Sequence, residues 1–150
     1  MSDTGAYEAA VRLLAASDKT PGGLIKRLTE KGYTEEQASG AAARLTAEGY
    51  LREDRLAEKT VRRLFEKQYG RAYIIAYMRE KGFSDDAVEE AEAICDTLNF
   101  DAAAEDFARA RRAEGKTETQ IRSALYRRGF EIRKNRRRRG GYFQFTCKSV

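Results

Sequence analysis

Lys31-Gly32-Tyr33, Lys81-Gly82-Phe83 and Arg128-Gly129-Phe130 are three copies of one signal, their glycines 50 and then 47 residues apart. A cation, a glycine and an aromatic in that order predict the end of a helix. The cation suits the negative helix terminus, the glycine takes the left-handed conformation that stops the helix, and the aromatic folds back on the last turn. Working backward, Leu28, Met78 and Leu125 stand four residues before the glycines, and Leu24, Ile74 and Ile121 stand eight before them. That spacing places both on one helical face. Each glycine therefore closes a short amphipathic helix, and one structural unit recurs along the chain.

The flanks extend the unit. Thr20 precedes Pro21 in the favoured first helical position, Thr117 with Gln120 forms a capping box, and Gly70 holds the corresponding place in the second copy. Past the glycines, Thr34 with Gln37 and Ser84 with Asp85 and Asp86 open another helix. Its apolar positions align as Ala38/Val88, Ala41/Ala91 and Leu45/Cys95. Upstream, Val11 with Leu14 and Val61 with Leu64 predict a first helix in copies one and two, a role that Phe107 takes, shifted by one, in copy three. The expectation is an all-α, elongated chain of tandem three-helix units at 5–51, 53–98 and 100–130, the third incomplete. The equivalents of the last apolar face after Phe130 are Asn135, Arg138 and Tyr142, so no amphipathic helix is encoded there. Residues 131–150 read instead as a basic, aromatic tail, disordered or outside the repeat pattern. Its run of Arg136, Arg137, Arg138 and Arg139 could touch DNA weakly and directly.

Composition narrows the chemistry. The 150 residues are 35% charged with a single proline, and mean hydropathy is −0.71, as in a soluble helical protein. There is no histidine, which removes the usual general base and the commonest metal ligand. Cys95 and Cys147 are far apart without a CxxC pair, so neither a thiolate cluster nor a disulfide framework is indicated, and a reducing cytoplasm fits. The longest stretch free of charge is the 8 residues from Gly140 to Cys147, too short for a membrane span. No secretory signal precedes the first charges, Asp3 and Glu8. Residues 1–108 hold 15 Lys and Arg against 21 Asp and Glu, whereas 109–150 hold 14 against 3. A basic end on an acidic body points to an anionic partner, nucleic acid or an acidic protein face.

Individual motifs for catalysis do not survive their context. Gly115-Lys116-Thr117 imitates part of a phosphate loop, but a helical pattern precedes it and Thr117 already caps the next helix. The carboxylate pairs Glu35/Glu36, Asp85/Asp86 and Glu89/Glu90 sit at helix starts or on polar faces, where they offset the dipole. Cys95 aligns with Leu45 as a core residue, and Tyr33, Phe65, Phe83 and Phe130 read as packed caps and core. Cations are the better candidates. Arg55, Lys59, Arg62, Arg63 and Lys67 line one side of a helix opposite Ala57, Val61, Leu64 and Phe65, and Arg71 follows. Arg109, Arg112, Arg127 and Arg128 join them from the third copy; the alternative for each is a solvated helical face interleaved with Glu58 and Glu66.

Over residues 6–130 the chain resembles the RecX family of recombination regulators. The likeness rests on Ala10 to Leu14 with Leu24, Leu28 and Lys31-Gly32; on Leu51, Asp54-Arg55-Leu56-Ala57, Val61-Arg62, Gly70, Ile74, Met78 and Lys81-Gly82-Phe83-Ser84; and on Leu125-Tyr126-Arg127-Arg128-Gly129-Phe130. The resemblance implies repeated three-helix units that bind the RecA recombinase along the groove of its filament on single-stranded DNA. It also implies inhibition of filament extension, ATP hydrolysis and strand exchange, without enzymatic activity, cofactor or metal. The tail departs from the family pattern, which completes the third unit with a helix. The expectation is a cytoplasmic, monomeric, RecX-like inhibitor whose filament-binding candidates are Lys59, Arg62, Arg63, Lys67, Arg71, Arg109, Arg112, Arg127 and Arg128. The competing readings are a helical module acting directly on DNA and a helical-repeat adaptor for another partner.

Overall fold

A computed structural model describes residues 3–131. Among these, eight helices and no strand occur: α1 (Asp3–Ala16), α2 (Pro21–Glu30), α3 (Glu35–Ala47), α4 (Glu53–Glu66), α5 (Arg71–Glu80), α6 (Asp85–Asp96), α7 (Phe100–Ala113) and α8 (Glu118–Arg127). Their lengths run 14, 10, 13, then 14, 10, 12, then 14, 10. The chain is all-α and repeats a three-helix pattern, as the glycine spacing predicts. The arginine run at 136–139 and the expected tail lie outside the described residues.

Local signals act where the sequence places them. Thr20 accepts the amide of Gly23 with Pro21 opening α2, and Thr34/Gln37 and Thr117/Gln120 both form reciprocal capping boxes. Gly82 and Gly129 each have φ of 85°, and the amides of Phe83 and Phe130 reach back to the carbonyls of Met78 and Leu125. Gly115 ends α7 with φ of 86° and the Lys116 amide returning to Arg111, so it belongs to a helix cap. In α4 a residue with a side chain takes the left-handed position: the helix gives way to Gln68, φ 65°, and the Tyr69 amide returns to the Leu64 carbonyl.

Apolar faces also follow the reading, with one correction. Leu24, Leu28, Ile74, Met78, Ile121 and Leu125 are buried, as are Ala38, Val88, Ala41, Ala91, Leu45 and Cys95. Val11 is not; it is 43% exposed, while Ala10 beside it is sealed. In α1 the buried stripe is Ala6, Ala9 and Ala10, backed by Leu13 and Leu14, and the short alanine side chains let α1 approach Ala38, Ala41 and Ala42 of α3 closely. Ala10 stands 22 residues before Gly32, as Phe107 does before Gly129, so the first and third copies share a register.

The chain forms two compact units whose borders do not coincide with the repeats. The first comprises residues through Lys59 with Met78–Glu90; the second comprises Thr60–Tyr77 with the chain from Ala91. Each contains one end-on joint between helices. In the first, the Thr20 hydroxyl at the start of α2 donates to the Lys81 carbonyl at the end of α5, at 2.8 Å, and a Cβ on Gly22 would stand 2.6 Å from the Gly82 carbonyl oxygen. In the second, the Gly70 amide donates to the Arg128 carbonyl at 2.7 Å and the Ala72 amide to that of Gly129 at 3.2 Å. A Cβ on Gly70 would collide with the backbone of Gly129 and Phe130. Both joints set unpaired carbonyls at one helix end against unpaired amides or a cap hydroxyl at another, satisfying orphan groups and aligning opposite dipole ends. Gly22 and Gly70 have no left-handed φ, so proximity alone requires glycine at these two positions.

Candidate partner-binding surface

The proposed cations separate into three kinds. Four hold carboxylates of the chain itself. Lys59 reaches Asp18 at 3.1 Å, Arg109 reaches Asp106 at 3.2 Å, Arg71 pairs with Asp96, and Arg112 grips Glu118 through two nitrogens. The Glu118 hydrogen bond raises the Arg112 pKa, and the same bond holds the Glu118 carboxyl below its ordinary range. Exposed pairs of this kind stabilise a fold by only about 0 to 1 kcal/mol. Their charge is, however, already answered.

Arg63 and Arg128 are laid on aromatic rings. The Arg63 guanidinium lies 5.9 Å from the centroid of Tyr77 and donates to its hydroxyl at 3.2 Å. The Arg128 guanidinium lies 4.5 Å from the Tyr69 centroid and 5.2 Å from that of Phe107, and donates to the Lys67 carbonyl at 3.2 Å. Between them runs a ladder of half-buried tyrosines. Tyr69 and Tyr73 stack at 4.0 Å with 14° between planes, and Tyr73 and Tyr77 follow at 6.3 Å and 23°. The order of the stack is Arg128, Tyr69, Tyr73, Tyr77, Arg63, all within the second compact unit. Arg62, Lys67 and Arg127 form the third kind, exposed on α4, just past its end, and on α8.

The sequence reading did not single out the tyrosines. Their signal is present: positions 69, 73 and 77 recur every four residues, Tyr73 and Tyr77 on one face of α5 and Tyr69 just before its start. Joint geometry completes the surface, because the residue whose carbonyl meets Gly70 is Arg128, and Tyr69 is fixed by the left-handed Gln68 before it.

No group of three or more metal-ligating side chains occurs among the described residues. Cys95 is buried and its thiol is pushed up to about 11 by burial, far from a reactive thiolate. Among the described residues no helix is long and apolar enough to cross a membrane.

Residues 6–45, spanning α1, α2 and most of α3, match the first three-helix domain of RecX. The arrangement of helices is also that of solved RecX structures. A regulatory protein RecX superposes with a TM-score of 0.71 at 20% identity over 86% of this chain and 67% of that one. RecX from Lactobacillus salivarius gives 0.73 at 21% identity, over 86% and 88%.

The chain is similar to RecX proteins in its first three helices and in its fold.

Two curated relatives carry the likeness into sequence. The regulatory protein RecX of Trichlorobacter lovleyi is 44% identical over 55 residues, 37% of this chain and 36% of the relative. That of Halorhodospira halophila is 33% identical over 95 residues, 60% of this chain and 59% of the relative. The RecX-like chain thus spans between about a third and three fifths of the length of these two relatives. The match to the first domain lies on α1–α3, whereas the arginine–tyrosine surface lies beyond it.

Proposed function

We propose that this RecX-like chain is a cytoplasmic, non-enzymatic regulator that binds the RecA recombinase filament on single-stranded DNA. It restrains filament extension, ATP hydrolysis and strand exchange. The observation that carries this reading is the 33% identity over 95 residues with a protein named as a RecX regulator. The absence of histidine from the sequence and the protonated state of Cys95 agree with a role in binding. The residues proposed to meet the filament are Lys59, Arg62, Arg63, Lys67, Arg71, Arg109, Arg112, Arg127 and Arg128. Occupying a groove needed by incoming protomers or DNA would be the mechanism.

The test is recombinase ATP turnover on single-stranded DNA. Substoichiometric amounts of the protein should slow turnover while hydrolysing no ATP themselves. Intrinsic hydrolysis lost in Lys116→Ala would revive the phosphate-loop reading. Inhibition explained wholly by salt-sensitive binding to naked DNA would favour the direct DNA-binding module.

A further inference from the structure

The arginines and lysines of the candidate surface differ in what already occupies them. Lys59, Arg71, Arg109 and Arg112 are ion-paired within the chain. Arg63 and Arg128 meet no carboxylate among the described residues; a tyrosine hydroxyl, a backbone carbonyl and ring faces hold them instead. A guanidinium held this way keeps its charge and the donors not already given to the Tyr77 hydroxyl or the Lys67 carbonyl, while losing most of its rotational freedom before any partner arrives. Pre-ordering of this kind lowers the cost of binding.

We propose that Arg63 and Arg128, one at each end of the tyrosine ladder, form a two-point receptor for carboxylates carried by an acidic segment of a partner protein. This rests on the proposed regulatory reading of the same surface and names the chemistry it recognises. The stack itself favours polypeptide over nucleic acid. A single strand binds protein aromatics by laying bases on open ring faces, but Tyr69 and Tyr73 cover each other at 4.0 Å, Arg128 lies over the Tyr69 ring, and Arg63 occupies the hydroxyl end of Tyr77. The exposed carboxylate oxygens of Glu66, on the same helix as Arg63, would repel a continuous polyphosphate. A protein segment of mixed charge tolerates them.

The experiment compares wild type with the Arg63→Lys/Arg128→Lys double variant, which keeps both charges and removes both forks. The probes are a fluorescent Asp/Glu-rich peptide of about twelve residues and a labelled oligothymidylate of about fifteen nucleotides, read by anisotropy at one salt concentration. Loss of bidentate, charge-assisted hydrogen bonds should weaken the peptide roughly tenfold or more, with less than about a twofold change for the oligonucleotide. Peptide binding that is absent in wild type, unchanged in the variant, or lost in parallel with oligonucleotide binding overturns the proposal. Should the double variant melt early, Tyr77→Phe serves instead: it removes only the hydroxyl that holds Arg63 and should weaken the peptide by a smaller factor, and no change there overturns the two-point receptor. Recombinase turnover is a separate readout. A wild-type protein that binds the peptide but leaves turnover untouched refutes the filament partner and keeps the receptor.

Discussion

A methyl group at Gly129 has nowhere to go: it would be driven into the backbone nitrogen and Cβ of Tyr73. Gly32 has the same role at the end of α2 with φ of 102°, yet nothing lies within 4 Å of where its Cβ would be. Gly32→Ala should therefore cost only the left-handed penalty, about 1 to 2 kcal/mol. Gly129→Ala should cost several kcal/mol in denaturant unfolding, because the close approach adds to that penalty. Equal losses would mean that the joint yields freely. Gln68 gives the opposite case, a residue with a side chain held at φ 65°; Gln68→Gly should raise the melting midpoint by relieving about 1 kcal/mol of strain. Cys95 supplies a titration. Burial raises its pKa from 9.0 to about 11, so in a Cys147→Ser background alkylation at pH 8 should be slow while the protein is folded and fast in denaturant. The sign follows from the neutral thiol being the favoured folded form. Any stability tied to it is intact below about pH 9 and fades as pH rises toward 11.

Helix ends were the most legible elements, because caps are local chemistry. A threonine three residues before a glutamine, or a glycine after a cation, needs no distant partner to be understood, and each such signal at Thr34, Thr117, Gly82 and Gly129 is realised. What stayed hidden depends on neighbours remote in sequence. Val11 looks like a core residue until the alanines of α1 and α3 set how closely those helices approach. Tyr69, Tyr73 and Tyr77 look like an ordinary periodic face until Arg128, 59 positions after Tyr69, arrives on it. Thr20 and Thr34 separate the two kinds of information. Both are caps, but Thr20 is 4% exposed and also donates to Lys81 across the joint, whereas Thr34 lies at the surface of its capping box. Thr34→Ala should cost about 1 kcal/mol. Thr20→Ala should cost more, by a further ~1 to 3 kcal/mol, because the Lys81 carbonyl loses a partner in a part-buried place. Urea titrations of the two variants would measure the difference.

For the molecule as a whole, function and stability should be separable by charge. Reversing Arg62, Arg63 and Lys67 to glutamate alters an exposed face whose packing side is Ala57, Val61 and Leu64. The helical signal should persist, with melting shifted little, while recombinase inhibition weakens by more than tenfold. Inhibition at wild-type concentrations would reduce that face to a solvated one. Out-of-phase compact units carry a different consequence. The hydrogen bonds across each joint are accepted by main-chain carbonyls, reached by a threonine hydroxyl in one joint and by backbone amides in the other, with glycine supplying the clearance. A coupling written in peptide groups places little demand on the side chains around it, so the faces of each repeat are free to diverge in composition while the linkage persists. Gly32 makes the same left-handed turn with nothing within 4 Å of its Cβ position, so the turn forms without a coupled neighbour.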